Sequence, residues 1–203
     1  MPRVTLCRLS EKDCDARWVR WLNDPAVSQW LASRGRIRWT LPRLRRWFRA
    51  HARRPGTRIY GIMAGRRRVG TLKIEGLGSE RWASVGLMIG ERRWRGHGIG
   101  TAAIREAVRI ADNAYNIGVW AGMLTSNWPS RNAFRRVGFS LAAEMVATHT
   151  RIKGVSSWYA AGHPPSDMTV PPLTPGTVRM AIRLRKVVAP IELRPYYVPR
   201  ATR

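Results

Sequence analysis

The sequence predicts a mixed α/β (α+β) fold: a central, mostly antiparallel sheet flanked by helices, followed by a Pro-rich C-terminal extension. Three observations predict it. The runs Arg58 to Ala64 and Val69 to Ile74, joined at Gly65-Arg66, read as a β-hairpin. The apolar run Ala83 to Ile89 leads through a glycine-rich turn into Ile104, Ala107, Val108 and Ala111 at helical spacing, which makes a strand, a turn and a helix. From about Pro164 the composition shifts, with Pro164, Pro165, Pro171, Pro172, Pro175, Pro190, Pro195 and Pro199 crowding the remainder. Prolines remove ladder donors and disfavour helix, so much of this tail is expected to be extended or irregular.

In chain order, Val4 to Leu9 alternates and predicts the first strand. Ser10 with Asp13 resembles a capping box and predicts the start of a helix carrying Ala16, Val19 and Leu22. Asn23-Asp24-Pro25 breaks that helix and starts another, with Asp24 as N-cap and Pro25 at the first position. Arg34 to Arg38 is a basic loop. Thr40 then caps a third helix with Leu44, Trp47 and Phe48 on one face and Arg43, Arg45, Arg46 and Arg49 largely on the other. That arginine face suits an anionic partner or simply solvent. The hairpin follows, then a Gly76-Leu77-Gly78 loop, the strand to Ile89 and the helix from Thr101 to Tyr115. Val119 to Leu124 reads as a strand, and a short helix bearing Ala133, Phe134 and Val137 ends at Gly138-Phe139. Ser140 to Ile152 and Ser156 to Ala161 predict a closing antiparallel pair turned around Lys153-Gly154. In the tail, Val178, Met180, Ile182 and Leu184 alternate with Arg179, Arg183 and Arg185, so Thr177 to Val188 is expected to be an edge strand. The organisation expected is one domain over residues 1–163 and an extension over 164–203.

The charge balance is extreme, with 37 Lys and Arg against 12 Asp and Glu and a formal net charge of +25. Such a field favours polyanions, whether nucleic acid, an anionic membrane surface or a phosphorylated cofactor, and cannot choose among them. Cys7 and Cys14 have no second pair with which to build a metal site, and His51, His97, His149 and His163 lack ligand spacing, so free thiols and no metal are expected. No signal peptide is visible at the N-terminus, because Arg3, Arg8, Glu11 and Lys12 interrupt it, and no apolar run is long enough to span a membrane. A cytoplasmic protein is expected.

The centre of the sequence is Glu91-Arg-Arg-Trp-Arg-Gly-His-Gly-Ile-Gly-Thr101. At a helix N-terminus the first N–H groups lack partners, the macrodipole is positive, and glycine lets an anion approach the backbone. Gly96, Gly98 and Gly100 supply clearance, and Arg92, Arg93 and Arg95 supply charge. The stretch therefore suits a pyrophosphate. It is neither a P-loop, since no Gly-Lys-Ser/Thr ends it, nor a dinucleotide fingerprint. The same residues also suit a tight strand-to-helix turn with solvated arginines.

Arg95-x-x-Gly98-x-Gly100 after a strand, with Asn127-x-x-Ser130 and Gly138-Phe139 downstream, resembles the GNAT superfamily of acyl-CoA N-acyltransferases. Trp21-Leu22-Asn23-Asp24-Pro25-x-Val27, Val85-Gly86-x-Met88-Ile89-Gly90 and Ser130 are similar to the branch holding ribosomal-protein alanine acetyltransferases and bacterial amino-sugar N-acetyltransferases. The resemblance covers roughly residues 4–161. It implies a GNAT-like sheet split where two central strands splay, with acetyl-CoA as acyl-donor cosubstrate. Arg95, Gly96, His97, Gly98, Ile99, Gly100 and Thr101 would face the pyrophosphate. The backbone at Met88 and Ile89 would pair with the pantetheine arm, and Asn127 would bond near it. Many members use a tyrosine as acid where this chain has Phe134; in the Asn-x-x-Ser branch the serine is the proposed acid, so Ser130 inherits that role here, against the plainer reading of a helix-capping hydroxyl.

The general base is the open position. Relatives often carry a carboxylate where this chain has Ser84, and Glu75, Glu80 and Glu144 are the substitutes available. A lysine ε-amine is about three pK units harder to deprotonate than an α-amine, roughly 4 kcal/mol, so a site without an obvious base suits low-pKa amines. The expected activity is acetyl transfer to a primary amine, an amino sugar or a protein N-terminal amine, by direct attack in a ternary complex. The alternative is a catalytically weak GNAT-fold protein that binds nucleic acid through its arginines. A ribosome contact through the basic surface and a homodimer contact through the tail are further partner readings.

Overall fold

The computed structural model describes residues 3–31, 37–114, 118–145 and 177–183, the side chains of 141–145 and 177–183 excepted. Seven strands form one sheet: β1 (Val4–Arg8), β2 (Arg58–Ala64), β3 (Arg67–Glu75), β4 (Trp82–Ile89), β5 (Gly118–Leu124), β6 (Ser140–Met145) and β7 (Thr177–Arg183), in the order β1-β2-β3-β4-β5-β7-β6. All neighbours are antiparallel except β4 and β5. Parallel strands need a crossover, and α4 (Ile99–Asn113) supplies it.

Local signals placed most helices. Asp24 caps α2 (Pro25–Ser28) by accepting from Ala26 N–H at 2.9 Å, and Thr40 caps α3 (Leu41–Ala52) by accepting from Arg43 N–H at 3.4 Å. The first cap differs from expectation. The Ser10–Asp13 box closes only a single 3-10 turn, Glu11–Asp13, because Cys14 is extended; α1 (Ala16–Asn23) starts afresh with Asp15 accepting from Trp18 N–H at 2.8 Å. The helix expected from Thr101 begins two residues earlier, at Ile99, and Tyr115 lies outside the described residues.

The tail strand is a correction. β7 was expected at an edge, yet it sits between β5 and β6, pairing Val119 with Ile182 on one side and Leu141 with Met180 on the other. Alternation reports which faces a strand presents and is silent on how many neighbours its backbone has, so the sequence pattern could not separate the two cases. The expected partner of β6 at 156–161, the turn at Lys153-Gly154, residues 184–188 and the boundary at 163/164 lie outside the described residues.

Each sheet face carries its own core. On one, Leu72, Ile74, Val85, Val119 and Ala121 meet Ile99, Ala103, Ile104, Ala107 and Ala111 of α4 and Phe134 of α5 (Trp128–Arg135). On the other, Trp18, Trp21 and Leu22 of α1 and Leu44 and Phe48 of α3 pack over Leu9 and Ile59. Among the described residues no helix is long and apolar enough to cross a membrane.

Candidate active site

The site lies where β4 and β5 part. Their pairing covers only Trp82–Ser84 against Gly118–Trp120, and beyond it the strands diverge. Gly90 N–H donates to Val69 O at 2.9 Å, so by strand alternation Ser84, Gly86 and Met88 bond to β3. Val85, Leu87 and Ile89 then turn their N–H and C=O to the edge that β5 leaves. Ile89 turns its N–H to the split while its C=O accepts from Arg95 Nε, Met88 commits its backbone to β3, and Leu87 is the neighbour that faces the split.

The glycine-rich loop joins this edge to α4. Gly96 (φ 79°) and Gly98 (φ 73°, the N-cap) take the left-handed conformation that turns the chain sharply. The first helical hydrogen bond runs from Ala102 N–H to Gly98 O at 3.0 Å, so the N–H groups of Ile99, Gly100 and Thr101 point out of the helix end. Gly100 is different from its neighbours. It is helical, and a Cβ there would meet only Leu87 Cδ1 at 3.7 Å and Ile89 Cγ1 at 3.9 Å, ordinary contact. Nothing among the described residues requires glycine at this position, and its missing side chain leaves open a cradle between the helix end and the open edge of β4 that a phosphorylated group would fit.

Arg95 lines the cleft beside that cradle and is also bonded behind the loop. Its Nε donates to Ile89 O at 2.9 Å, and one terminal nitrogen donates to Gly90 O at 2.7 Å and to the Asp24 carboxylate at 2.9 Å. The guanidinium thus clamps the end of β4 to α2 and shapes the loop from behind. Its donation holds the Asp24 carboxyl below the usual carboxylate range, helped by Ala26 N–H against the cost of burial. His97 is exposed, with Nδ1 2.8 Å from Arg95 O, so that nitrogen carries the proton. Arg92 and Arg93 are exposed and add positive charge to the loop, Arg93 lying 5.7 Å over the Trp94 ring.

Across the split stands the start of α5. Asn127 caps it, Oδ1 accepting from Ser130 N–H at 3.2 Å. The capping role once open to Ser130 therefore belongs to Asn127, and the Ser130 hydroxyl has no hydrogen-bond partner among the described residues while lining the cleft. Phe134 is buried, edge-on to Phe139 at 4.8 Å between ring centroids.

The cleft has a volume of about 1230 Å³ and continues past the vertex of the split to the α1–α3 face. Register places Glu75, Ser84 and Trp120 in one row across that vertex, their side chains on the same face. Of the three carboxylates considered as base, Glu75 lines the cleft, bonded to Lys73 Nζ at 2.9 Å and 3.7 Å from Arg54. Glu80 lies in the turn before β4, and the Glu144 side chain is outside the described set. Sequence reasoning passed over His51. Its ring packs on Trp47 at 4.4 Å and its Nδ1 lies 2.9 Å from Trp47 O, so the neutral ring keeps an unprotonated Nε2; burial pushes its pKa below the usual value. Trp47-x-x-x-His51 on a helix was the signal that could have found it.

A family model described as an acetyltransferase (GNAT) domain matches residues 3–140. The chain belongs to the GNAT acetyltransferase family. As a GNAT protein it is an acyl-CoA-dependent N-acetyltransferase. Similar solved GNAT-type folds include an aminoglycoside acetyltransferase in complex with coenzyme A (15% identity, TM-score 0.66, 89% of this chain and 95% of that one). A spermidine N-acetyltransferase from Vibrio cholerae, solved with coenzyme A and spermine, aligns at 14% identity and TM-score 0.65 over 89% of this chain and 95% of its own. A domain from Methanocaldococcus jannaschii aligns at 14% identity and TM-score 0.67 over 91% and 100%. At these identities they share the GNAT fold. No curated protein matches the sequence.

Proposed function

We propose that the protein transfers the acetyl group of acetyl-CoA to a primary amine by direct attack in a ternary complex, the acceptor being an amino sugar or a protein N-terminal amine. The observation that carries this reading is the open backbone edge of β4 running into the bare helix end at Gly98–Thr101. Coenzyme A in the similar aminoglycoside and spermidine acetyltransferases supports it.

Acetyl-CoA supplies the acetyl group as a thioester. The N–H groups of Ile99, Gly100 and Thr101 with Arg92 and Arg93 hold its pyrophosphate, and the polar groups of Leu87 and the Ile89 N–H hold its extended arm. Five residues of strand span about 16 Å at roughly 3.3 Å per residue, so an arm laid along this edge ends at the vertex beside Ser84 and Trp120. There the amine enters from the α1–α3 side. Its nitrogen bonds to the acyl carbon as the carbon–sulfur bond breaks; Glu75 takes the proton released from nitrogen, directly or through water, and the Ser130 hydroxyl gives one to sulfur and regains it from solvent. Neither cysteine is placed as an acyl carrier: Cys14 is buried in the α1–α3 core, its thiol pushed up to about 11 by burial, and Cys7 lies on β1.

Thiol release from acetyl-CoA, followed with α-amine, amino-sugar and lysine acceptors, tests the reading. Ser130→Ala and Glu75→Gln are each expected to lower kcat by about 100-fold or more while acetyl-CoA affinity stays within about twofold. Parent-like kcat in both variants, or turnover confined to internal lysines, contradicts it.

A further inference from the structure

The acceptor half of the cleft is built of indole. Trp30, Trp39, Trp47 and Trp120 line it, each partly exposed. Trp39 and Trp47 are held by their neighbours. Asn23 Oδ1 accepts from Trp39 N–H at 2.8 Å while its Nδ2 donates to Trp39 O at 2.9 Å, and Trp47 meets Trp39 edge-on at 6.4 Å and Trp18 at 6.2 Å. Trp120 stands beside Ser84 at the vertex.

Acidic groups are scarce there. Glu75 is the one carboxylate lining the cleft among the described residues, and Lys73 and Arg54 already flank it. The remaining charges facing this half are cationic or neutral: Lys73 also lies 5.7 Å over the Trp47 ring, and His51 is held neutral by its surroundings. A polyamine or an aminoglycoside carries several ammonium groups, and each beyond the first would face like charge without a carboxylate to receive it. A single amine on an apolar body meets the opposite situation: its ammonium has Glu75, and its body has flat rings to cover.

Resting on the acetyl-transfer reading, we infer that the acceptor is a monoamine carried on a flat or branched apolar body, held among Trp39, Trp47 and Trp120, and that polycationic amines are excluded. Two sources share this apolar body, a peptide whose first residue has an apolar side chain and a free arylalkylamine, the second on an amine about as basic as lysine's, whose proton Glu75 must then take. Of the acceptor classes named above it favours the terminal amine. The expected preference therefore runs against spermine, the molecule solved with the similar spermidine N-acetyltransferase, although the folds are alike.

The experiment is a thiol-release comparison of phenethylamine, a Phe-Gly-Gly peptide with a free N-terminus, glucosamine, spermine and kanamycin, on protein shown by calorimetry to bind acetyl-CoA. The expected result is kcat/KM for phenethylamine or the peptide about 100-fold above spermine and kanamycin and about tenfold above glucosamine. The better of the two identifies the source. Trp47→Ala is expected to erase at least tenfold of that preference through KM, with acetyl-CoA affinity unchanged as evidence that the fold holds, and Trp39→Leu is the second variant should Trp47→Ala fail that control. Equal or faster turnover of spermine or kanamycin, preference for glucosamine, or no turnover of any amine by protein that binds acetyl-CoA overturns the inference. Failure to bind acetyl-CoA instead overturns the acetyl-transfer reading beneath it.

Discussion

At the residue scale, Arg95 shows how a cleft-lining motif residue can also hold the scaffold around it. Its three donations, to Ile89 O, Gly90 O and Asp24, fix the exit of β4 and the angle at which the chain enters the glycine turn. The ion pair itself is part-exposed, with side-chain exposures of 26% and 35%, so its direct worth is no more than about 1 kcal/mol. The two carbonyl bonds add about as much again. Arg95→Lys, which keeps the charge and loses the fork, is therefore expected to weaken acetyl-CoA binding about tenfold, and calorimetry checks it; unchanged affinity would mean the clamp has no part in shaping the loop. His51 makes the second residue-scale prediction. Its pKa is lowered, first by burial and then by Lys73 and Arg54, against the opposing Trp47 carbonyl and Glu75. The folded protein therefore binds this proton less readily than the unfolded chain. Its contribution to stability is complete above the unfolded value near 6.5 and is lost as pH falls through the lower folded value. His51→Gln should flatten the fall of Tm as pH drops below about 6.5, and a melting series for both proteins reads it directly.

At the scale of elements, what could be read in advance was what neighbours in sequence decide. Asp24 and Thr40 cap the helices that follow them, and Gly65 turns the hairpin, because each acts within a few residues. Where the signal was local but ambiguous, geometry chose: Asn127 rather than Ser130 caps α5, which leaves the hydroxyl available for chemistry. Non-local pairings were closed to sequence reasoning. Nothing near Glu75 announces that it stands opposite Ser84, where relatives often carry a carboxylate, and nothing in Thr177–Arg183 announces two strand neighbours. Phe134 belongs to this scale too. It packs on Phe139 in the core and borders the cleft at only 2% exposure, so the tyrosine that many relatives use would add a hydroxyl where little free surface is left. Phe134→Tyr is expected to lower stability by about 1–3 kcal/mol in urea denaturation and to leave kcat unimproved. A gain in kcat would show that the acid role is open to this position.

At the scale of the whole molecule, the net charge of +25 and the glycine cradle make separable demands. Any association with polyanions through the general field should fall steeply with salt and ignore changes in the cradle. Binding at the helix end should depend on the cradle's shape. Gly100 separates them, because an alanine there suits the helix and touches only Leu87 and Ile89 at ordinary distance. The most direct measurement is calorimetric titration of acetyl-CoA into nucleic-acid-free parent and Gly100→Ala proteins, with thermal melts alongside. The account predicts opposite signs: the variant gains about 0.5–1 kcal/mol of stability from replacing glycine in a helix, yet binds acetyl-CoA at least about tenfold more weakly because its Cβ occupies the phosphate's space. Equal affinity in the two proteins, or no binding by a folded parent, would contradict the claim that this turn and the split beside it form the acyl-donor site.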